Sequence, residues 1–179
     1  MVINMSKKPN KVITIIHTGK GDDGYCTING TLVSKSDVII RYLSGLDKCQ
    51  SYTHSLNSAK TNVQDFLFIL GALVNNPNSE KYTIAANKLY QYFKEEINSI
   101  VRGLPALTGF IRTSTRNSAL MFLRALIRET ECLAKEAVDE GKLDIIHVTY
   151  LNLLSDYIFA FIWFELDFDY SEDDVWSGI

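Results

Sequence analysis

Apolar residues recur every three to four positions along most of the chain after Ser36, which is the repeat of an amphipathic helix. In the first such stretch the apolar face is predicted to consist of Ile39, Leu43, Leu46 and Cys49. The whole pattern predicts five helices. The first begins at Val38, and the second carries an apolar stripe from Val63 to Val74. The third, fourth and fifth cover Tyr82 to Val101, Asn117 to Gly141 and Leu143 to Glu165.

Short breaks separate these stretches. Ser36 or Asp37 is a suitable cap for the first helix, Asn75 to Asn78 form a turn, and Gly103-Leu104-Pro105 end the third helix before a connector over 104–116. Long helices joined by short loops predict an all-α fold, an antiparallel five-helix bundle.

The first 35 residues lack this repeat. From Gly19 to Gly24, three glycines and two aspartates in six positions exclude a helix. We therefore predict one domain over 1–179, made of an N-terminal loop segment over 1–35, the bundle over 36–165 and an acidic, aromatic tail over 166–179.

Composition narrows the choice of partners. The 179 residues include 18 Lys+Arg and 21 Asp+Glu, a formal net charge of -3, so no overall positive field attracts nucleic acid. Polar residues interrupt the most apolar stretch, 145–164, so it does not predict a membrane span. The first ten residues lack the apolar core of a signal peptide. Three unpaired, widely spaced cysteines indicate a reducing compartment. We expect no membrane span and a cytoplasmic location, in the cytosol or an organelle matrix.

Several polar residues exceed what a plain bundle requires. Arg124, Arg128 and Glu131 share one face of the fourth helix. On the fifth helix, Asn152 and Asp156 lie one turn apart in an apolar surface. They form either a site or a solvated stripe of ion pairs, each contributing at most ~0.5 kcal/mol, and periodicity does not separate the two.

The glycine-rich turn also has two interpretations. Successive backbone N–H groups from Gly19 to Gly24 could bind phosphate oxygens, with charge from Lys20, or the turn is an ordinary flexible loop. It is not a Walker A loop, because Gly21 follows Lys20. The three histidines share no ligand spacing, so we assign no metal cluster, and no nucleophilic triad is visible.

The order of several motifs is more specific. Thr18 to Gly24 resemble T-x-x-G-D-x-G, Val33-Ser34-Lys35 resembles V-x-K, and 64–72 resemble Q-x-x-L-F-x-L-G-A. Further matches are Leu104-Pro105, Phe110-Ile111, Ser118-Ala119-Leu120 followed by Arg124, Arg128 and Glu131, and Tyr150 to Phe159 beside Y-L-N-R-L-S-D-x-L-F. Together they resemble the trimeric, propanediol-utilisation (PduO) class of ATP:cob(I)alamin adenosyltransferases over nearly the whole chain.

The resemblance implies a transferase in which cobalt(I) of reduced cobalamin attacks the 5′-carbon of ATP and expels triphosphate. It implies an ATP site made of Thr18, Gly19, Gly21, Asp22, Gly24, Lys35, Arg128, Glu131 and Asn152. It also implies that Phe110 packs under the corrin and that Asp47 pairs with Arg124 at a subunit boundary, so that the catalytic set is Arg128, Phe110, Asp47 and Arg124. Mg²⁺ with ATP, a homotrimer, a cobalamin-dependent mutase and a reductase follow from the same resemblance.

The chain departs from the family at several charged positions. Lys48 stands for a glutamate, Glu129 and Cys132 for arginines, Leu153 for an arginine and Met121 for a histidine, while Arg112 to Arg116 replace a glycine-containing turn. Two other classes stay open: a relative that binds ATP or cobalamin without turnover, as a cofactor carrier, and a structural helical bundle that interacts through its tail.

Overall fold

The structure is a computed structural model, and it describes residues 18–56, 61–107, 109–115, 117–167 and 175–176. Residues 1–17 of the predicted N-terminal segment lie outside that part. Most of the predicted tail, 168–174 and 177–179, lies outside it as well.

Five helices dominate, as the apolar repeat predicts. They are α1 (Val38–Ser55), α2 (Thr61–Asn75), α3 (Glu80–Val101), α4 (Ser118–Asp139) and α5 (Ile146–Asp167). Asp37 is the cap of α1, since its carboxylate accepts a hydrogen bond from the Ile39 N–H at 3.0 Å. Ser79, just after the predicted turn, caps α3 through the Tyr82 N–H. The expected all-α, five-helix bundle is confirmed, and every predicted helix end lies within three residues of the observed one.

The helices form a closed ring in which each packs against two neighbours. α1 contacts α2 and α4, α5 contacts α4 and α3, and α2 contacts α3. Helices that follow each other in the ring run antiparallel, except that α3 and α5 are parallel. Asn87 bonds Tyr150, and one to two turns further along both helices Phe93 contacts Tyr157. With five alternating elements in a ring, one contact has to be parallel.

The core fills the centre of this ring with large side chains. Of the predicted face of α1, Ile39, Leu46 and Cys49 are buried, while Leu43 is half-buried and Tyr42 is fully buried in its place. In the ranges that the structure describes, no helix is long and apolar enough to cross a membrane.

Four short strands were not predicted. β1 (Tyr25–Ile28) and β2 (Thr31–Ser34) form an antiparallel hairpin inside what the sequence indicated as loop. β3 (Phe110–Ile111), in the predicted connector, pairs with β4 (Val175–Trp176), in the predicted tail. The hairpin joins the glycine-rich turn to α1, and the second pair ties the tail to the end of the bundle where α4 begins.

Candidate functional site

The glycine-rich turn is a compact, hydrogen-bonded loop that Lys35 closes. Gly19, Gly21 and Gly24 adopt positive φ angles of 69, 88 and 83°, a conformation that side chains other than glycine resist. The ammonium of Lys35 donates to the Gly21 carbonyl at 2.6 Å. A Cβ at Gly21 would lie 2.9 Å from that ammonium and 3.1 Å from the Tyr25 carbonyl. The sequence-predicted loop and lysine are therefore brought together, and a side chain at Gly21 would push the lysine ammonium away.

A second group of predicted residues meets on the surface between α4 and α5. Arg128 and Glu131 form an ion pair, with 3.4 Å between Nη1 and Oε2. Oε2 of Glu131 is buried and receives no aligned hydrogen bond from the described residues, so the contact is one of charge. Half of the Arg128 side chain is exposed and the guanidinium keeps donors for an incoming anion. The two predicted neighbours are therefore in contact in the structure.

Arg124 lies one turn before Arg128 in a more apolar setting. Its guanidinium carbon is 4.9 Å from the centre of the Phe159 ring, a cation–π contact. Its Nε is buried and has no hydrogen-bond partner among the described residues. Burial lowers the pKa of Arg124, and the charge of Arg128 lowers it further, while Asp156 opposes both. The buried Nε–H of Arg124 therefore needs a hydrogen-bond acceptor that the described residues do not supply.

The two carboxylates near the arginines are held at raised pKa values. Burial raises the pKa of Glu131 and that of Asp156, and the arginine charges only partly offset it. The sequence singled out Asp156 without giving it a role, and here its charge acts on Arg124 and Arg128. Asn152, one turn earlier on α5, is exposed, so its amide is accessible from outside the bundle.

Asp47 does not join this cluster within one chain. It is exposed on α1, and the described ion pairs of the chain include none between Asp47 and Arg124. α1 instead meets α4 through Arg41 and Glu136 and through Lys48 and Glu129. The expected Asp47–Arg124 pair across a subunit boundary remains a prediction, because the structure contains one chain.

Phe110 stands at the far end of the bundle, at the edge formed by β3 and β4. It is 73% exposed, and its ring centre lies 6.1 Å from that of Trp176, itself 45% exposed. Gly109 allows this approach, because a Cβ there would collide with the Trp176 carbonyl. Two adjacent exposed aromatic rings, tilted by 32° to each other, offer an apolar surface to a large ligand.

Two features of this end were missed by sequence reasoning. Asn117, 2% exposed, ties down the turn that replaces the family's glycines by accepting from the Ser114 N–H at 2.7 Å and donating to the Arg112 carbonyl at 3.0 Å. Its position just before a helix indicated a helix cap, but not the hydrogen bonds that it makes to the turn. Trp176 lay in a segment without a repeat, and no local pattern indicated its pairing with Phe110.

An apolar cavity of about 450 Å³ lies between α3 and α5, beside the connector that follows α3. Asp156 and Phe159 of the arginine cluster line it, as does Leu107, three residues before Phe110. The other lining residues are Ile97, Val101, Leu104, Pro105, Ala160 and Trp163. Phe159, which carries the cation–π contact with Arg124, therefore also faces this cavity.

The chain has relatives among known proteins. The chain is 28% identical over 180 residues to the corrinoid adenosyltransferase MMAB of Bos taurus, covering 87% of this chain and 72% of that protein. It is 29% identical over 175 residues to the Homo sapiens MMAB, covering 87% and 69%.

Solved structures show the same fold. A phenylalanine-to-alanine variant of the PduO-type ATP:corrinoid adenosyltransferase from Lactobacillus reuteri, complexed with cobalamin and ATP, matches with a TM-score of 0.77 at 22% identity, over 92% of this chain and 100% of that one. An arginine-to-lysine variant complexed with ATP matches at 0.70 and 24%, over 84% and 93%.

The model of the family described as cobalamin adenosyltransferase matches residues 16–165, which hold the loop, the arginine cluster and Phe110. The resemblance drawn from the motifs is thereby confirmed. The chain belongs to the cobalamin adenosyltransferase family.

Proposed function

We propose that the chain transfers the 5′-deoxyadenosyl group of ATP to the cobalt of reduced cobalamin, releasing triphosphate and forming adenosylcobalamin. Family membership over 16–165 supports a corrinoid adenosyltransferase. The observation that carries the proposal for this chain is Arg128, which is half exposed and paired with Glu131. It lies beside Arg124, whose buried Nε has no acceptor in the part of the chain that the structure describes. The donors that Arg128 keeps suit an anionic substrate, and Arg124 is left to pair with a carboxylate.

The protein's task in this reaction is electrostatic and geometric. Cobalt(I) is already a strong nucleophile, so the site has to neutralise the leaving triphosphate and hold the 5′-carbon in line. We assign the triphosphate to the turn of Thr18, Gly19, Gly21, Asp22 and Gly24, with Lys35 and with the guanidinium fork of Arg128. Glu131 orients Arg128, Asn152 bonds the nucleotide, and Mg²⁺ accompanies ATP.

The corrin is assigned to the aromatic edge. Phe110 packs under the ring, and the neighbouring Trp176 extends the apolar surface by a second ring at 6.1 Å. A dry, apolar surface excludes water from the cobalt, which favours reduction. Asp47 and Arg124 complete the site from two subunits, and the unmet acceptor requirement of Arg124 supports this pairing.

The oligomeric state, the location and the partner proteins are also proposals. We propose a homotrimer in the cytoplasm that receives electrons from a reductase and passes product to a cobalamin-dependent mutase. Exposed aromatic side chains at Phe68, Phe122 and Phe164 support the trimer, since they exceed what a lone bundle covers. The near-neutral charge supports the expectation of no nucleic-acid partner. A monomer in sedimentation at micromolar concentration would contradict the trimer.

An anaerobic assay tests the function. ATP, Mg²⁺ and chemically reduced cobalamin are mixed with the protein, and absorbance follows formation of the cobalt–carbon bond. We expect turnover in the wild type and a loss of activity of 100-fold or more in Arg128→Ala. The control Arg102→Ala, which changes an exposed arginine just after α3, should keep wild-type activity.

The same samples separate the two alternatives. Binding of ATP or cobalamin without product would identify a cofactor carrier and overturn the proposed turnover. A melting temperature that neither ligand raises would identify a structural bundle.

A further inference from the structure

A larger cavity, of about 740 Å³, lies at the opposite end of the bundle from Phe110. The inner side of the β1–β2 hairpin forms one wall, and the ends of α2 and the starts of α1, α3 and α5 form the others. The side chains that line its apolar part are Ile39, Leu73, Val74, Leu143 and Ile146. A volume of this size is in the range of ~300–1,000 Å³ that small-molecule sites occupy.

Polar groups converge on one side of this cavity. His147 lines it and is 4% exposed, and its Nδ1 lies 2.9 Å from the hydroxyl of the fully buried Tyr42. Among the described residues Tyr42 is its hydrogen-bond partner, so the other ring nitrogen is left for a ligand. Tyr150, also in the lining, donates its hydroxyl to the Asn87 side-chain oxygen at 2.7 Å, which leaves the Asn87 amide N–H₂ available.

The charges around the cavity disfavour an anionic ligand. Burial lowers the pKa of His147 to about 4, so its ring is neutral at pH 7. Lys142 is the cation of the lining, and its ammonium is already 2.7 Å from both Asp37 and Glu140. Asp144 adds a further negative charge. None of the residues assigned to ATP or to the corrin lines this cavity.

We propose that this cavity is a second binding site, for an uncharged, largely apolar organic molecule that carries a hydrogen-bonding group. Its apolar body packs on the walls from α2 and α5. Its polar group bonds His147 and Asn87. The hairpin lies over the ligand, and the site is separate from the one that holds ATP and cobalamin.

Nile red, an uncharged apolar dye whose fluorescence rises in apolar surroundings, is the probe. Titration of the full chain is expected to give saturable binding of one dye per chain. Thr83, an exposed residue of α3 in the lining, is replaced in Thr83→Phe to fill the cavity without disturbing the core. Ser99→Phe, which adds the same ring to an exposed position of α3 outside the lining, is the matched control.

We expect Thr83→Phe to weaken dye binding at least fivefold and Ser99→Phe to leave it unchanged, with both variants melting as the wild type does. Saturating MgATP is expected to leave dye binding unchanged. Equal dye affinity in the two variants, or no saturable binding, overturns the site. Displacement of the dye by MgATP overturns its separation from the nucleotide site. Equally tight binding of an anionic naphthalene sulfonate dye at this cavity overturns the assigned ligand class.

Discussion

Lys48 on α1 and Glu129 on α4 form an ion pair, with 3.7 Å between Nζ and Oε1. Each of these residues departs from the family motif, which has a glutamate at the first position and an arginine at the second. In the sequence they counted as two missing charges. In the structure they face each other, so this chain has kept a pair of opposite charges and reversed its direction.

The first prediction concerns this reversed pair. Lys48→Glu places two carboxylates together and Glu129→Arg places two cations together, so each lowers the free energy of unfolding. The loss is under about 1 kcal/mol, because the side chains are 59% and 60% exposed and water screens the charges. The double variant restores the family's order and should regain the loss, as measured by urea denaturation. Additive losses in the double-mutant cycle would show that the two charges do not interact.

The polar face of α4 was predictable because a long helix fixes which residues are neighbours. Arg128 and Glu131 are three residues apart, and their contact follows from the helical repeat alone. The β1–β2 hairpin carried a usable signal that was interpreted as loop. Asn29 and Gly30, with φ of 47 and 78°, form the Asn-Gly turn between two β-branched runs that favours a hairpin.

The aromatic edge was not predictable in the same way. Phe110 and Trp176 are brought together by two-residue strands that lie far apart in sequence. Such pairing depends on where the bundle places the chain ends, and no local repeat encodes it. The 740 Å³ cavity was not predictable either, because four separate segments of the chain enclose it.

The second prediction is that Lys35→Ala removes most of the stabilisation that MgATP gives. At a ligand concentration of 100 times Kd, binding to the native state alone adds about 2.7 kcal/mol. The Lys35 ammonium, now on the Gly21 carbonyl, is the cation that this assignment gives to the glycine turn. Thermal shift with and without MgATP measures the effect. Lys88→Ala, at an exposed position of α3, is the control and should keep the full shift.

The outcome for Gly21→Ala follows from the same geometry. A Cβ there lies 2.9 Å from the lysine ammonium at a φ of 88°, so the MgATP shift should fall as well. Equal shifts in the wild type and Lys35→Ala would mean that triphosphate binds elsewhere.

The third prediction is that Asp47 and Arg124 form a desolvated pair between subunits. Removing either partner leaves a charge unpaired, at a loss of ~3 kcal/mol or more, against under ~1 kcal/mol for a surface pair. Asp47→Ala and Arg124→Ala should each lower activity and melting temperature. The exchanged double variant, Asp47→Arg with Arg124→Asp, should recover part of the stability. Independent losses in the cycle would mean that the side chains do not meet, and the assignment of the site to two subunits would fail.

The fourth prediction concerns the close approach of α1 and α4 at Gly45. A Cβ there would lie 2.7 Å from Thr130 Oγ1 and 3.0 Å from its Cγ2. Thr130 is 2% exposed and its hydroxyl donates to the Leu126 carbonyl at 2.8 Å, so it has little freedom to move. Gly45→Ala should lower the free energy of unfolding by about 1–3 kcal/mol despite the better helix propensity of alanine.

Gly71→Ala is the matched control for this helix contact. Its nearest neighbour would be Leu46 Cδ1 at 3.9 Å, an ordinary contact. Alanine should therefore be neutral there or stabilise α2 by up to about 1 kcal/mol. Combining Gly45→Ala with Thr130→Ala should lose less than the sum of the two single changes. Equal losses at the two glycines would contradict a steric cause.

The last prediction is that His147 makes the fold sensitive to mild acid. Burial lowers the pKa of His147 in the folded chain from 6.5 to about 4, so the unfolded chain binds the proton more readily. The contribution of His147 is complete above pH 6.5 and declines as pH falls toward 4, because there the unfolded state holds more protons. Between pH 7.5 and 5 the decline is about 2 kcal/mol.

His147→Gln isolates this effect. Glutamine keeps an acceptor for the Tyr42 hydroxyl, which the ring holds at 2.9 Å, and does not titrate. Urea denaturation of both proteins at pH 7.5 and pH 5 measures the difference. Carboxyl groups titrate in the same range. The quantity that decides is therefore the gap between the free energies of unfolding of wild type and variant. That gap should shift by about 2 kcal/mol in favour of the variant at pH 5, and a gap that stays constant would mean that His147 is accessible to water in the folded chain.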